Sequence, residues 1–434
     1  MLISAWWLLL LSIPVLLLGE FLVRRISFLS KYNIPAPVVG GLLVSFGVLF
    51  ANLVGVELNL GSKVAAKWWT WLVTTEIEWA KVPNLDVHRP FLVAFFTCIG
   101  LNASWDLAKR GGLQVFIFLG IAAVMGVLQN VIGLGMAKLM GAPTLLGLVC
   151  GSTTMTGGHA TALGFAGEFE KAGFEGAGVI GAAAATFGLI AGGLIGGPVG
   201  GGLIRKLNLK PSVSRETHLQ MGETSESGIW QDFRALAGYG TKFLLHVFVL
   251  LVCIKLGSWI SYGIQQIEIP RAGQESIKLV FPVYMGALLL GVAIRNIADA
   301  VKKGWLRTEI VDTLGSVTLG IFLAIAMMGL NLKDLAQAAM PMLVIVSVQV
   351  IALAAFTRFV TFRAMGRDFD AAVMAGGHCG FGLGATPNAV ANMKALVERY
   401  GSAPRAFLVV PIVGAFLHDF VNAMNITFFL NAVK

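Results

Sequence analysis

Nine stretches of about 20 predominantly apolar residues recur along this chain, at roughly 3–23, 36–55, 113–137, 178–204, 243–264, 279–297, 313–330, 337–360 and 404–430, with a shorter one at about 88–102. A hydrocarbon core about 30 Å thick is crossed by an α-helix of about 20 such residues. Lipid offers no water to bond a bare backbone, so each stretch must satisfy its own N–H and C=O groups, as a helix does. The composition agrees: 13% of residues are charged, against about 25% in a soluble domain, and the mean hydropathy is +0.80. The chain is therefore read as an all-α polytopic membrane protein whose surroundings are a lipid bilayer. Soluble enzymes, disordered chains and fibrous proteins are excluded.

The formal charge of +9 comes without a nucleic-acid-type run of Lys and Arg, so no nucleic-acid partner is expected. Cys98, Cys150, Cys253 and Cys379 lie in apolar or Gly-rich stretches without CxxC or metal-ligand spacing, which argues against disulfides and zinc. The first apolar stretch lacks a basic leader and contains Trp6, Trp7 and Glu20, so it reads as a retained span rather than a signal peptide. A polar linker at 206–242, with Arg215, Glu216, Glu223 and Glu226, divides the chain into near-equal halves. A second polar interruption, 61–87, carries Trp68-Trp69-Thr70-Trp71 and reads as an interfacial aromatic segment.

The halves, 1–205 and 243–434, match in an ordered series. Pro37-x3-Gly41 pairs with Pro282-x3-Gly286, and Gly100-Leu101-Asn102 with Gly329-Leu330-Asn331. Gln129 pairs with Gln349; Gly151, Gly157 and Thr161 with Gly376, Gly382 and Thr386; and Phe187 with Phe407. Ordered self-similarity is the mark of an internal repeat. Each half holds five spans, and five is odd, so the second half enters the membrane in the opposite sense: two inverted five-helix repeats, a transporter architecture. With the N-terminus outside, the predicted inner loops collect Arg24, Arg25, Lys31, Lys109, Arg205, Lys206, Arg215, Lys302, Lys303, Arg363 and Arg367. That excess places both termini outside and the central linker in the cytoplasm.

Two stretches break the apolar pattern with glycine rather than charge. One reads Gly151-Ser152-Thr153-Thr154-Met155-Thr156-Gly157-Gly158-His159-Ala160-Thr161. The other reads Gly376-Gly377-His378-Cys379-Gly380-Phe381-Gly382-Leu383-Gly384-Ala385-Thr386-Pro387-Asn388. Helix through so much glycine is unfavourable, and broken backbone at membrane depth must be buried in protein or line a wet cavity. Each is read as a re-entrant helix–break–helix hairpin, about 143–166 and 371–393, whose tips can meet near the midplane. Half-helix N-termini favour a carboxylate, and unwound carbonyls with side-chain oxygens suit a hard cation such as Na⁺. The expected substrate-contacting set is Ser152, Thr153, Thr156, Gly157, Gly158, His159, Gly377, His378, Gly380, Gly382, Thr386 and Asn388. The expected Na⁺ set is Thr154, Thr161, Asn102, Asn331, Gly384 and Asp419, with no other cofactor.

Each of these has a plainer reading. Glycines also permit close helix packing, the reading favoured for Gly188 to Gly202, where polar company is scarce. Asn102 and Asn331 suit helix C-caps as well as ion ligands. Gln129 and Gln349 suit interhelical hydrogen bonds, and His159 and His378 read as neutral hydrogen-bonding groups. Asp419, an acid in mid-span, is by default functional. Glu20 can pair with Arg24 one turn on, and Lys255 can snorkel. These residues are compatible with a symporter of a small carboxylate or with an ion channel. HExxH and GxSxG are absent from the sequence, which disfavours an enzyme.

At these residues the chain resembles the bacterial sodium/glutamate symporter family. The resemblance covers both halves, from Phe28-Leu29-Ser30-Lys31-Tyr32 to Phe407–Ala415 with Asp419 and Asn422. Its most specific part is Gly376 to Pro387. Two places depart from it: 61–87 looks like an insertion, and Ala160 and Leu163 stand where glycines are expected. The resemblance implies Na⁺-coupled uptake of L-glutamate across a bacterial inner membrane by an elevator-type secondary transporter, working as a homodimer. It also leaves the second substrate carboxylate in want of a cation, for which Arg358 and Arg363 are candidates.

Overall fold

The computed structural model describes residues 2–110, 112–211, 229–271, 274–278, 280–301 and 304–433. Arg215, Glu216, Glu223 and Glu226 of the linker, and Lys302 and Lys303, lie outside the described residues. The main helices in chain order are α1 (Ala5–Arg25), α2 (Ala36–Leu53), α3 (Arg89–Asn102), α4 (Gly112–Leu139), α5 (Thr144–Leu148), α6 (Gly158–Lys171), α7 (Ala177–Lys206) and α8 (Thr241–Gln265). They continue with α9 (Val283–Val301), α10 (Thr308–Met328), α11 (Lys333–Phe356), α12 (Phe369–Phe381), α13 (Thr386–Tyr400), α14 (Pro404–Ile412) and α15 (His418–Val433).

Among the described residues, eight helices are long and apolar enough to cross a membrane: α1, α2, α4, α7, α8, α9, α10 and the run Ala338–Ala364 that begins in α11. The protein is thus a multi-pass membrane protein. The ninth predicted stretch, 404–430, is divided. α14 passes through a π-helical turn, Val413–Leu417, before α15 begins. Pro411, near the end of α14, has no N–H to donate and crowds the carbonyl four residues back.

The helices fall into two compact units, and neither follows a half of the chain. Unit 1 takes Met1–Ser30, Ile34–Ser104 and Glu226–Lys333, hence α1, α2, α3, α8, α9 and α10. Unit 2 takes Lys31–Asn33, Trp105–Ser225 and Asp334–Lys434, hence α4 to α7 and α11 to α15.

In unit 1 the helices cross where side chains vanish: a Cβ on Gly100 would run into the Leu288 carbonyl, and one on Gly286 into the carbonyl of Gly257. Leu8, Leu16, Val317, Ala324 and Ile325 form the adjoining apolar core. The 61–87 segment is folded against this unit. Its strands Lys63–Val64 and Leu85–Asp86 pair antiparallel, and Trp68 stacks on Trp6 with ring centroids 5.4 Å apart. Lys255, expected to snorkel, instead reaches this segment and donates to the carbonyls of Trp71 (2.7 Å) and Thr74 (2.9 Å). Glu20 and Arg24 form the expected ion pair.

In unit 2 the glycines of α7 do what the sequence suggested. Gly188, Gly192, Gly196 and Gly200, four apart on one face, lie against the carbonyls of Leu383, Cys379, Gly376 and Ala372 respectively. Small residues let two backbones approach this closely, so α12 lies directly on α7. All four cysteines are buried free thiols.

Candidate functional site

Both glycine-rich breaks are helix–break–helix hairpins, and both lie in unit 2. In the first, α5 continues into a π-helical turn, Val149–Thr153, where Gly151 leaves helical geometry (φ −88°, ψ −141°). The chain restarts as α6 at Gly158, whose φ of +60° is open to glycine at little cost. The second hairpin starts where the Asp368 side chain accepts from Ala371 N–H, runs through α12, breaks at 382–385 and returns as α13.

The two tips meet. A Cβ on Gly158 would sit 2.5 Å from the Gly384 carbonyl, so only glycine permits this approach. Gln129 of α4 ties the tips together: its amide donates to the Gly382 carbonyl (2.8 Å) and accepts from the Thr156 hydroxyl (2.6 Å). Gln349, on α11, which the sequence matches to Gln129, donates to the Gln129 carbonyl (2.7 Å) and more weakly to the Cys150 carbonyl (3.4 Å). Each glutamine therefore reaches the hairpin of the opposite half.

The break of the first hairpin is gripped by amides. Ser152 N–H donates to Asn130 Oδ1 (2.8 Å), the Ser152 carbonyl accepts from Asn422 (3.0 Å), and Ser152 Oγ accepts from Asn425 (3.2 Å). Three buried amide atoms here have no hydrogen-bond partner among the described residues, Asn130 Nδ2, Gln349 Oε1 and Asn422 Oδ1; both ring nitrogens of His418, beside the second tip, have none either. Buried polar atoms are nearly always bonded, so a run of orphans around one backbone break marks a place built for something more than packing. Next to the second tip, Thr386 Oγ1 donates to the Gly414 carbonyl within the π-helical turn (2.8 Å), and the His418 ring meets Phe381 edge-on at 4.8 Å.

The predicted residues divide accordingly. Thr156, Gly157, Gly158, Gly382 and Gly384 are at the meeting tips, and Ser152 is at the break. Thr153 and Thr154 are beside it, but their hydroxyls turn back to the carbonyls of Leu148 (3.0 Å) and Val149 (2.8 Å). Thr161 is buried on the first turn of α6. His159 pairs with Thr186 on α7 (2.8 Å). His378 pairs with Thr361 (2.9 Å) among Phe118, Phe356 and Phe381. Gly377 and Gly380 are packing positions against Met393 and the Asn388 backbone. Asn388 is engaged by Leu189 and Asn33. Both hairpins belong to unit 2, whereas Asn102 and Asn331 belong to unit 1. There Asn102 donates to Asp312 (2.6 Å), and Asn331 accepts from Lys333 N–H (3.3 Å). Arg363 folds back onto the Phe359 carbonyl of its own turn (3.3 Å). The expected set omitted Asn130, Asn425 and His418, and also Asn422, Gln129 and Gln349. Polar amides inside apolar spans were the available signal.

Comparison with known proteins decides what this constellation belongs to. The family model for the sodium/glutamate symporter matches residues 1–68 and 63–402. The chain belongs to the sodium/glutamate symporter family. A sodium/glutamate symporter of Escherichia coli K12 is 39% identical over 417 residues, 96% of this chain and 94% of the relative. One of Haemophilus influenzae is 37% identical over 419 residues, 94% and 93% of the two chains. The family match divides at 63–68, inside the segment that looked like an insertion. Symport moves two solutes together without breaking a bond in either, so the members of this family, this chain included, are transporters rather than enzymes.

Proposed function

We propose that this protein takes up L-glutamate in symport with Na⁺ across the bacterial inner membrane. The observation that carries the reading is the junction of two hairpin tips from opposite halves on Gln129, in a chain of this family. Both hairpins are re-entrant, one from each of two inverted repeats, with the termini periplasmic and the central linker cytoplasmic. The open backbone of the tips receives the substrate carboxylate, and the polar oxygens near the first break receive Na⁺. The ion neutralises those oxygens and fixes the geometry that accepts a dicarboxylate amino acid. By linkage, substrate then strengthens Na⁺ binding by the same factor. The unit that holds both hairpins carries the loaded site between the two faces in an elevator motion, within a homodimer.

Labelled glutamate uptake into proteoliposomes with and without a Na⁺ gradient tests this. Uptake requires the gradient; uptake indifferent to Na⁺ sinks the coupling. Competition by aspartate and citrate reads selectivity, and citrate competing as well as glutamate would move the assignment to another carboxylate.

A further inference from the structure

Around the break of the first hairpin, one of the unpaired atoms is an amide oxygen that faces a gap. The Ser152 carbonyl accepts from both Gly157 N–H (2.9 Å) and Asn422 Nδ2 (3.0 Å). The other end of the same amide, Asn422 Oδ1, is buried and has no partner among the described residues, in a side chain only 1% exposed. One turn earlier on α15, Asp419 has no hydrogen bond or ion pair among the described residues. Residues three apart on a helix share a face, with Cβ atoms about 5–6 Å apart.

The third wall is a missing side chain. A Cβ on Gly126 of α4 would sit 3.6 Å from Asn422 Oδ1, 3.3 Å from Asn425 Nδ2 and 3.8 Å from Ser152 Cβ. The gap is the size of a methyl group, and Asn422 Oδ1 is closed to solvent. An amino acid does not fit; a dehydrated ion or one water does. The chemistry separates these two. A lone carboxylate in an apolar span is costly and calls for a compensating charge, and one monovalent cation makes the group neutral. A divalent ion such as Ca²⁺ would leave charge over and wants about six to eight oxygens.

We infer that a single Na⁺ binds in the gap over Gly126, ligated by Asn422 Oδ1, Ser152 Oγ and the Asp419 carboxylate. Asn425, which now donates to Ser152 Oγ, offers its own oxygen when its amide turns over. The site deepens the symport reading and rests on it. It also supplies the coupling: the ion holds Ser152, the pivot of the π-helical turn, and the turn sets where Thr156 to Gly158 lie at the tip. Thr154, expected as a ligand, has its hydroxyl committed to the Val149 carbonyl.

The test measures glutamate uptake against external Na⁺ in proteoliposomes, and thermal unfolding in NaCl against choline chloride. Asn422→Leu and Gly126→Ala each raise half-saturating Na⁺ about tenfold or more, the scale on which a disturbed metal site loses affinity. Both lose the Na⁺-dependent rise in Tm, and in Gly126→Ala the glutamate KM at saturating Na⁺ moves less than about twofold, since linkage is then satisfied. Gly126→Ala keeps the inference falsifiable if Asn422→Leu misfolds, because only the Asn425 amide must give way, by a few tenths of an ångström. Unchanged half-saturating Na⁺ in Gly126→Ala overturns the site and leaves the gap to water. Wild-type uptake indifferent to Na⁺ overturns the symport reading instead, so the two failures are distinguishable.

Discussion

Two glycines six residues apart on α7 should respond to the same substitution with opposite sign. At Gly196 an added Cβ would fall 2.6 Å from the Gly376 carbonyl. That is about 0.8 Å inside the 3.4 Å at which ordinary contact begins. The same Cβ would collide with the Asn392 amide, which donates to the carbonyls of Gly192 (2.9 Å) and Gly376 (3.3 Å). Neither obstacle is a free side-chain end, so α7 and α12 must separate. Overpacking of this kind costs about 1–3 kcal/mol. At Gly202 the nearest atom is Arg358 Nη1, at 3.7 Å, so a methyl group enters ordinary contact. Both substitutions gain about 0.5–1 kcal/mol in helix propensity, and that gain cancels in the comparison. The difference between Gly196→Ala and Gly202→Ala is therefore the packing penalty itself, about 1–3 kcal/mol. The four buried thiols supply the assay, since a thiol-reactive fluorophore labels them only as the fold opens. Gly202→Ala unfolds at or slightly above the wild-type temperature, and Gly196→Ala several degrees below, at about 2–4 °C per kcal/mol for a unit of this size. Equal midpoints for the two variants would refute the claim that α12 lies on α7 through this stripe.

Gln129→Ala removes the tie between the hairpin tips. With Gly382 and Thr156 left unpaired at about 1–3 kcal/mol each, the glutamate KM rises about tenfold or more; an unchanged KM in uptake assays would remove Gln129 from the site. Lys255→Met leaves the Trp71 and Thr74 carbonyls without their donor, so limited proteolysis within 61–87 accelerates while the KM stays at its wild-type value. Glu76→Ala breaks an ion pair with Lys67 whose partners are both about half exposed. Its effect on Tm corresponds to under about 1 kcal/mol, and a larger drop would mean that the pair is not screened by solvent.

The spans were legible because bilayer thickness fixes their length, and apolar residues in runs of about 20 have few other uses. The Gly188–Gly200 stripe was legible from its four-residue spacing and its lack of polar neighbours. The helix breaks were legible because glycine clusters disfavour a continuous helix. The ion and substrate sets were legible only in part, for a physical reason. A hydroxyl one turn from a carbonyl usually bonds to it, and Thr153 and Thr154 do so, which removes them as free oxygens. The unsatisfied atoms at the first break belong to amides on α4, α11 and α15, and an amide shows in the sequence only as a polar residue in an apolar span. Which end of it is left unpaired depends on neighbours more than 200 residues away, as in the bonds of Gln349 to Gln129 and Asn422 to Ser152.

The matched Gly-Leu-Asn motifs show what a sequence match between the halves can and cannot carry. The sequence left Asn102 and Asn331, at matching positions, as helix caps or ion ligands alike. What they share is a position: each stands two residues before the chain leaves unit 1, which ends at Ser104 in the first half and at Lys333 in the second. At the first crossing the end of α3 is pinned down. Asn102 donates to Asp312, Ser104 donates to Asp299 (2.6 Å), and the Ala103 carbonyl accepts from Asn296 (3.0 Å). At the second, Asn331 turns to the backbone N–H of Lys333. The same letters thus meet different surroundings in the two halves. Of the two, Asn102 keeps its amide oxygen buried and without a partner among the described residues, so the donor end alone anchors the end of α3.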